Sequence, residues 1–159
     1  MTRSFSRPTF TIASFLVTIL AACQRNAAPP KECLEYPPDL TLTLATGLLR
    51  QDFRLANAWT VKSDKAITGD NNVTTPAYFL SADIIAPNGE AVVGTWLTDD
   101  ITTAGHIYSV SPQAIKYSKY GGVGDRSTAG TTMDTGGAKQ SIDCVLTHRA
   151  KPGQAAATP

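Results

Sequence analysis

The amino-acid sequence predicts an α+β domain, in which a small antiparallel sheet is packed by two helices. Three observations lead to this class. They are a hairpin pattern at residues 77–98, a capped helical segment after residue 110, and an amphipathic segment near the C-terminus. We expect residues 33–149 to form one globular domain, since a chain of this length can bury a single core.

The hairpin is the clearest of these patterns. Two segments rich in β-branched and aromatic residues, 77–86 and 90–98, flank the turn sequence 87–89, which is Pro-Asn-Gly. Proline presets the first φ angle of a turn, while asparagine and glycine tolerate a positive φ. The alternation in the first strand predicts one core face, formed by Tyr78, Leu80, Ala82 and Ile84. The second strand is apolar on both faces, so we expect it to lie inside the sheet.

A third strand and a first helix follow. Residues 106–110 have strand composition, and Ser111 and Pro112 are typical of the start of a helix. Serine accepts a hydrogen bond from an exposed amide, and proline lacks only an N–H that would have no partner there. We predict a helix over about 112–120 that ends at the glycines 121–122.

The second helix is predicted over about 135–147, with Asp134 as its cap. Its apolar residues, spaced for one buried stripe, are Ala138, Ile142, Val145 and Leu146. Residues 39–63 leave two alternatives open. The leucines 40, 42 and 44 alternate as in a strand, but residues 48–59 fit a helix as well.

The N-terminus carries a sorting pattern. Arg3 and Arg7 precede an apolar stretch of about 12 residues, too short for the roughly 20 that span a bilayer. The stretch leads into Leu20-Ala21-Ala22-Cys23. This sequence resembles the lipobox of bacterial lipoproteins. The resemblance implies a signal peptide at 1–22 and a partner in membrane lipid, through acylated Cys23. Ordinary cleavage after residue 22 and an uncleaved signal anchor are the alternatives.

The residue after the lipidated cysteine carries a further implication. It is Gln24 and not the aspartate that retains lipoproteins of enteric-type bacteria on the inner membrane. The resemblance therefore implies a lipid-anchored protein of the bacterial envelope. We expect it on the outer membrane in preference to the inner membrane, where it would face the periplasm or the cell surface. Residues 23–32 are expected to be a flexible tether, and residues 150–159 a disordered tail.

Export has a consequence for the other two cysteines. If Cys23 is acylated, Cys33 and Cys144 remain as an even pair in an oxidising compartment. We expect them to form a disulfide that clips the two ends of the domain together. Two buried free thiols are the alternative.

Charge and motifs exclude several function classes. Removal of residues 1–22 takes two of the 14 basic residues, so 12 remain against 13 acidic ones and the net charge is −1. A nucleic-acid partner is therefore not expected. The sequence has no zinc-ligand spacing, P-loop or nucleophile elbow, so we assign no metal, no cofactor and no catalytic residues. For acid–base chemistry the sequence offers only weak candidates, which are Asp99, Asp100 and His106.

The function that these observations favour is noncatalytic. We expect a membrane-anchored lipoprotein that binds, or has a structural role for, a protein or cell-envelope component. The alternatives are a small hydrolase-like envelope enzyme, which would use residues 99, 100 or 106, and a phage or conjugation exclusion lipoprotein. Possible interface residues combine an aromatic, a histidine and a glycine-rich loop: Trp96, His106, Gly121, Gly122, Gly124 and Asp125.

Overall fold

A computed structural model of the chain describes residues 31–68, 73–103, 105–122 and 131–149. The signal peptide 1–22, the acylation site Cys23, most of the tether and the tail 150–159 lie outside the described residues. So do two of the interface candidates, Gly124 and Asp125. The described ranges form an α+β structure with an antiparallel sheet, as predicted.

Within the described ranges, five strands form the main sheet, in the order β1-β2-β5-β6-β7, and every pair is antiparallel. A second sheet is the short hairpin β3-β4. The elements are β1 (Leu34–Glu35), α1 (Pro38–Ala45), β2 (Arg54–Lys62), β3 (Ile67–Thr68), β4 (Thr74–Thr75), β5 (Tyr78–Ile85), β6 (Ala91–Thr98), β7 (Ile107–Ser109), α2 (Pro112–Tyr117) and α3 (Ala138–His148). None of the helices in the described ranges is long and apolar enough to cross a membrane.

The predicted hairpin is confirmed as β5 and β6. Its register pairs Tyr78 with Thr98 at the open end and Ile85 with Ala91 beside the turn. Gly89 has φ +87°, the left-handed conformation that the turn requires. As expected, β6 lies inside the sheet, between β5 and β7.

Both faces of the sheet are buried, whereas the sequence indicated one core face. On the expected face, Leu80 and Trp96 pack with Leu44 of α1 and with Ala114 of α2. On the other face Phe79 is fully buried. It packs in a second cluster with residues that include Leu97, Val110 and Ala138 of α3. The sheet is thus sandwiched between α1 and α2 on one side and α3 on the other.

The start of α2 is confirmed and its end is corrected. The Ser111 hydroxyl accepts a hydrogen bond from the Ala114 amide at 3.1 Å, and Pro112 begins the helix. The helix stops at Tyr117 instead of residue 120, because Ser118 is extended and forms a β-bridge with Leu48. The glycines 121–122 therefore do not end it.

The start of α3 differs from the prediction. Gly137, with φ +109°, precedes the helix, and Asp134 does not cap it. Residues 132–135 instead close a turn of their own, in which the Thr135 amide donates to the Thr132 carbonyl at 2.9 Å. The Asp134 carboxylate lies 3.1 Å from the Lys139 ammonium.

Both alternatives for residues 39–63 are wrong. The alternating leucines belong to helix α1, and residues 54–62 form strand β2. Pro38 at the first helical position favours the helix, which buries Leu44. The Thr41 and Thr43 hydroxyls donate to carbonyls four residues back.

The disulfide is confirmed. Cys33 and Cys144 are bonded, with their Cα atoms 5.8 Å apart and a sequence separation of 111. The bond joins the residue before β1 to the middle of α3. The bond therefore joins the two ends of the described chain.

Candidate binding groove

A concave site lies between α1 and β2, and we call it the α1–β2 groove. Its volume is about 880 Å³, within the range of small-ligand sites. Residues of β1, of α1 and the loop after it, of β2 and of the end of α3 line it. Its apolar lining includes Tyr36, Leu42, Ala45, Leu48, Phe53 and Leu55.

Leu42 forms the exposed part of the apolar wall. Leu44, two residues later, is fully buried against the sheet and holds α1 in place. Leu42 therefore points away from that contact and is 72% exposed. A leucine left in water beside a concave apolar surface is typical of a site that a partner covers.

The opposite side of the groove is a strand edge. Strand β1 pairs with β2 only at Trp59 and Thr60, and the Tyr36 amide adds one bond to the Ala58 carbonyl at 3.0 Å. Pro37 and α1 then lead the chain away from the sheet. Within the described ranges, residues 54–57 of β2 have no strand partner on this outer edge.

A bulge in β2 shapes the end of this edge. The pairing with β5 shifts between Ala56 and Trp59, and Asn57 adopts φ +52°. The Asn57 amide donates to the Asp83 carboxylate at 3.1 Å and to the Val145 carbonyl at 2.8 Å. Its oxygen accepts the Trp59 indole N–H at 2.8 Å. These bonds hold asparagine in a backbone region that few non-glycine residues adopt.

Asp83 is the buried anion of this network. The residue is only 4% exposed and accepts bonds from the Arg149 guanidinium through both carboxylate oxygens, one of them at 3.2 Å. The hydrogen bond with this carboxylate raises the pKa of Arg149. A buried carboxylate is stable when it is paired and hydrogen-bonded in this way. The pair ties the residue after α3 to the middle of the sheet.

His148 completes the end wall of the groove. Its ring stacks on the Trp59 indole, with centroids 3.9 Å apart and planes inclined by 20°. Both residues line the groove. Because Asn57 holds the indole N–H and Arg149 follows His148 directly, the bulge and the end of α3 fix this stack from both sides.

Two charged side chains lie on the rim. Glu35 and Arg54 are both exposed and line the groove. Neither forms an ion pair with another residue of the described ranges. The rim therefore offers one negative and one positive charge to a ligand.

Comparisons with protein-family models, curated proteins and solved structures found no match to this chain. Within the described residues, no group of three histidine, cysteine, aspartate or glutamate side chains could hold a metal ion.

The predicted interface residues do not meet in one place. Trp96 is fully buried, and its indole N–H donates to the Ser118 hydroxyl at 3.1 Å. Its ring is a core element and cannot contact a partner. Gly121 and Gly122 are exposed beside β7, where the Gly121 carbonyl accepts the Ser109 amide at 2.7 Å.

The acid–base candidates form one contact outside the groove. The His106 side chain is 78% exposed, and its Nδ1 lies 2.9 Å from the Asp99 carboxylate. Asp100 instead faces its own loop, where the hydroxyl of Thr103 and the amide and hydroxyl of Thr102 lower its pKa to about 2. Asp99 and His106 are thus brought together, and Asp100 is not part of their contact.

Sequence reasoning missed most of the groove. Neither Trp59 nor His148 is among the interface residues that the sequence indicated. Nothing in the spacing of residues 57, 83 and 149 indicated that they would converge. One local signal was present, because asparagine tolerates the positive φ that a bulge can require.

Proposed function

We propose that this chain is a membrane-anchored envelope lipoprotein with a noncatalytic domain, which binds a protein or cell-envelope component through the α1–β2 groove. The observation that carries the proposal is the juxtaposition of exposed Leu42 with the unpaired edge of β2. An apolar wall beside unused backbone groups is suited to recognition.

The position of the domain relative to the proposed anchor supports an envelope partner. Eight residue steps separate Cys23 from Lys31, a reach of at most about 29 Å when extended. Lys31 itself is fixed to the domain, since its ammonium donates to the Lys62 carbonyl at 2.8 Å and pairs with Asp64 at 2.5 Å. The anchor would therefore hold the domain close to a bilayer.

The chemistry of the groove favours binding over catalysis. Its polar lining includes Glu35, Arg54, Asn57 and His148. Asn57 is engaged in the bulge network, and His148 is stacked on Trp59. Among the described groove residues, no side-chain nucleophile is hydrogen-bonded to a base, which covalent hydrolysis requires.

Site-specific photocrosslinking in intact cells tests the groove. A photoreactive amino acid replaces Leu42 in one variant and Leu146 in the control. Leu146 is a helical leucine outside the groove lining and is 51% exposed. We expect a discrete adduct from position 42 and none from position 146. Equal patterns from the two positions would contradict the groove as the binding site.

A Cys23→Ser variant tests the anchor. We expect the wild-type protein to incorporate radiolabelled palmitate and to sediment with membranes, because acyl chains contribute about 0.8 kcal/mol per buried methylene. The variant should lose the label and leave the membrane fraction. Unchanged labelling and fractionation would exclude Cys23 as the acylation site.

A further inference from the structure

We infer that the ligand of the α1–β2 groove is an extended polypeptide segment of a partner protein, which adds as a strand to the outer edge of β2. The inference rests on the proposed function and specifies the chemistry of the partner. It follows from the direction of backbone groups, from the apolar wall and from the two rim charges.

The hydrogen bonds of the sheet show which backbone groups are unused. Neighbouring residues of a strand present their N–H and C=O groups to opposite sides. Beyond the C-terminal end of β2, Ser63 donates to the Ala77 carbonyl before β5, so odd-numbered residues there face β5. Ala58 accepts the Tyr36 amide on the β1 side, so even-numbered residues face outward.

The bulge reverses this parity in the first part of β2. Ala56 pairs with Asp83, whereas Trp59 pairs with Ser81, so the register changes by one residue. Before the bulge, Leu55 therefore directs its N–H and C=O groups to the open edge. No described residue from outside the sheet bonds to these groups.

An unused donor and acceptor on one strand edge select a particular ligand chemistry. A polypeptide in β conformation supplies a carbonyl and an amide at the matching spacing, whereas a glycan or a lipid chain has no such repeat. Leu42, Leu48 and Phe53 line the same groove. Alternate side chains of an added strand would pack against them, because successive side chains point to opposite faces.

The rim charges indicate the direction and the ends of the segment. A strand that continues the line of β1 runs antiparallel to β2, so its C-terminal end lies near Arg54 and its N-terminal end near Glu35. Arg54 and Ala58 of β2 are four residues apart, so the open edge between them is about 13 Å long. We therefore expect an acidic group toward the C-terminal end of the bound segment and a basic group toward its N-terminal end.

Synthetic peptides test this inference on the full mature chain, made soluble by Cys23→Ser. The probe is an octapeptide library with leucine or valine at alternate positions, lysine near the N-terminus and aspartate near the C-terminus. The tightest binder is then resynthesised with N-methyl groups on either alternate set of amides. One set should weaken binding by at least about tenfold, since it blocks the strand-to-strand bonds, and the other set should have little effect.

Variants of the chain locate the contact. Leu42→Gln should weaken binding of the peptide by about tenfold, while Leu146→Gln should leave its affinity unchanged. Arg54→Glu should reverse the preference for a C-terminal aspartate in favour of lysine. The amide of Leu55 should shift in nuclear magnetic resonance spectra on titration with the peptide.

Other occupants give different results. The inference is overturned if no peptide binds below millimolar concentration, or if both N-methylated sets bind equally well. It is also overturned if the chain dimerises through β2 edges, since a second copy would then fill the site. An adduct at position 42 that resists protease and contains glycan would likewise overturn it, while leaving the proposed function intact.

Discussion

His148, the last residue of α3, stacks on Trp59 of β2 with the two ring centroids 3.9 Å apart. The next residue, Arg149, pairs with Asp83 in the middle of the sheet. Helix α3 is also bonded to the residue before β1 through Cys144. The end wall of the groove therefore depends on three separate attachments of one helix.

The disulfide is predicted to be the largest single contributor to stability among these attachments. Cross-linking two residues about 110 positions apart lowers the entropy of the unfolded chain, which raises its free energy by roughly 4.7 kcal/mol in the loop-closure estimate. We expect the double substitution of Cys33 and Cys144 by alanine to lower the free energy of unfolding by up to about that amount. Urea denaturation with and without reductant measures it. A wild-type midpoint that reductant leaves unchanged would contradict the bond.

The bulge residue gives a prediction with a built-in control. Asn57→Ala and Asn57→Gly both remove the amide bonds to Asp83 and Val145, at a cost of about 2 kcal/mol. Alanine is strained at φ +52° and glycine is not. The Asn57→Ala protein should therefore be less stable than the Asn57→Gly protein by about 1 kcal/mol. Thermal unfolding of the two variants measures the difference. If alanine proved as stable as glycine, Asn57 would not hold a left-handed backbone.

Asp100 is predicted to make the stability of the fold depend on pH in the acidic range. Its hydrogen bonds with Thr103 and Thr102 lower its pKa from 3.8 to about 2. Between these values the unfolded state binds more protons than the folded state, so the contribution present above pH 4 is lost as the pH falls toward 2. Asp100→Asn should lose less stability than wild type over this interval. Parallel acid titrations of the two proteins would refute the assignment.

Tyr36 is predicted to tolerate the loss of its hydroxyl. The residue is 2% exposed, and within the described ranges the hydroxyl has no hydrogen-bond partner. Burial is the main reason that its pKa rises to about 12. Tyr36→Phe should therefore be as stable as wild type or slightly more stable, and one tyrosine should disappear from the titration near pH 12. A loss above about 1 kcal/mol would indicate that the hydroxyl is bonded.

Local sequence signals predicted the parts of the fold that depend on neighbouring residues. The turn at Pro87 to Gly89 and the cap formed by Ser111 and Pro112 are complete within a few positions of the chain. Their chemistry is the same in any surrounding structure. For this reason β5, β6 and the start of α2 lie where the sequence placed them.

Packing decided the parts that the sequence did not predict. A Cβ atom at Gly137 would lie 2.9 Å from the Lys62 carbonyl oxygen, so the start of α3 depends on its approach to β2. Threonines are weak helix formers, yet α1 forms because Leu44 is buried against the sheet. The groove combines residues from four elements. The spacing of residues within one segment cannot predict that these elements meet.

Radical footprinting shows whether the α1–β2 groove is covered in the envelope, by comparing side-chain oxidation in living cells with that of the purified full chain. If a partner covers the α1–β2 groove, Leu42 and Trp59 should be oxidised several-fold less in cells. Leu146 and Ile115, which are exposed outside the groove lining, should be oxidised equally in both samples. Equal oxidation of Leu42 in cells and in the purified chain would contradict the claim that this groove is occupied in the envelope.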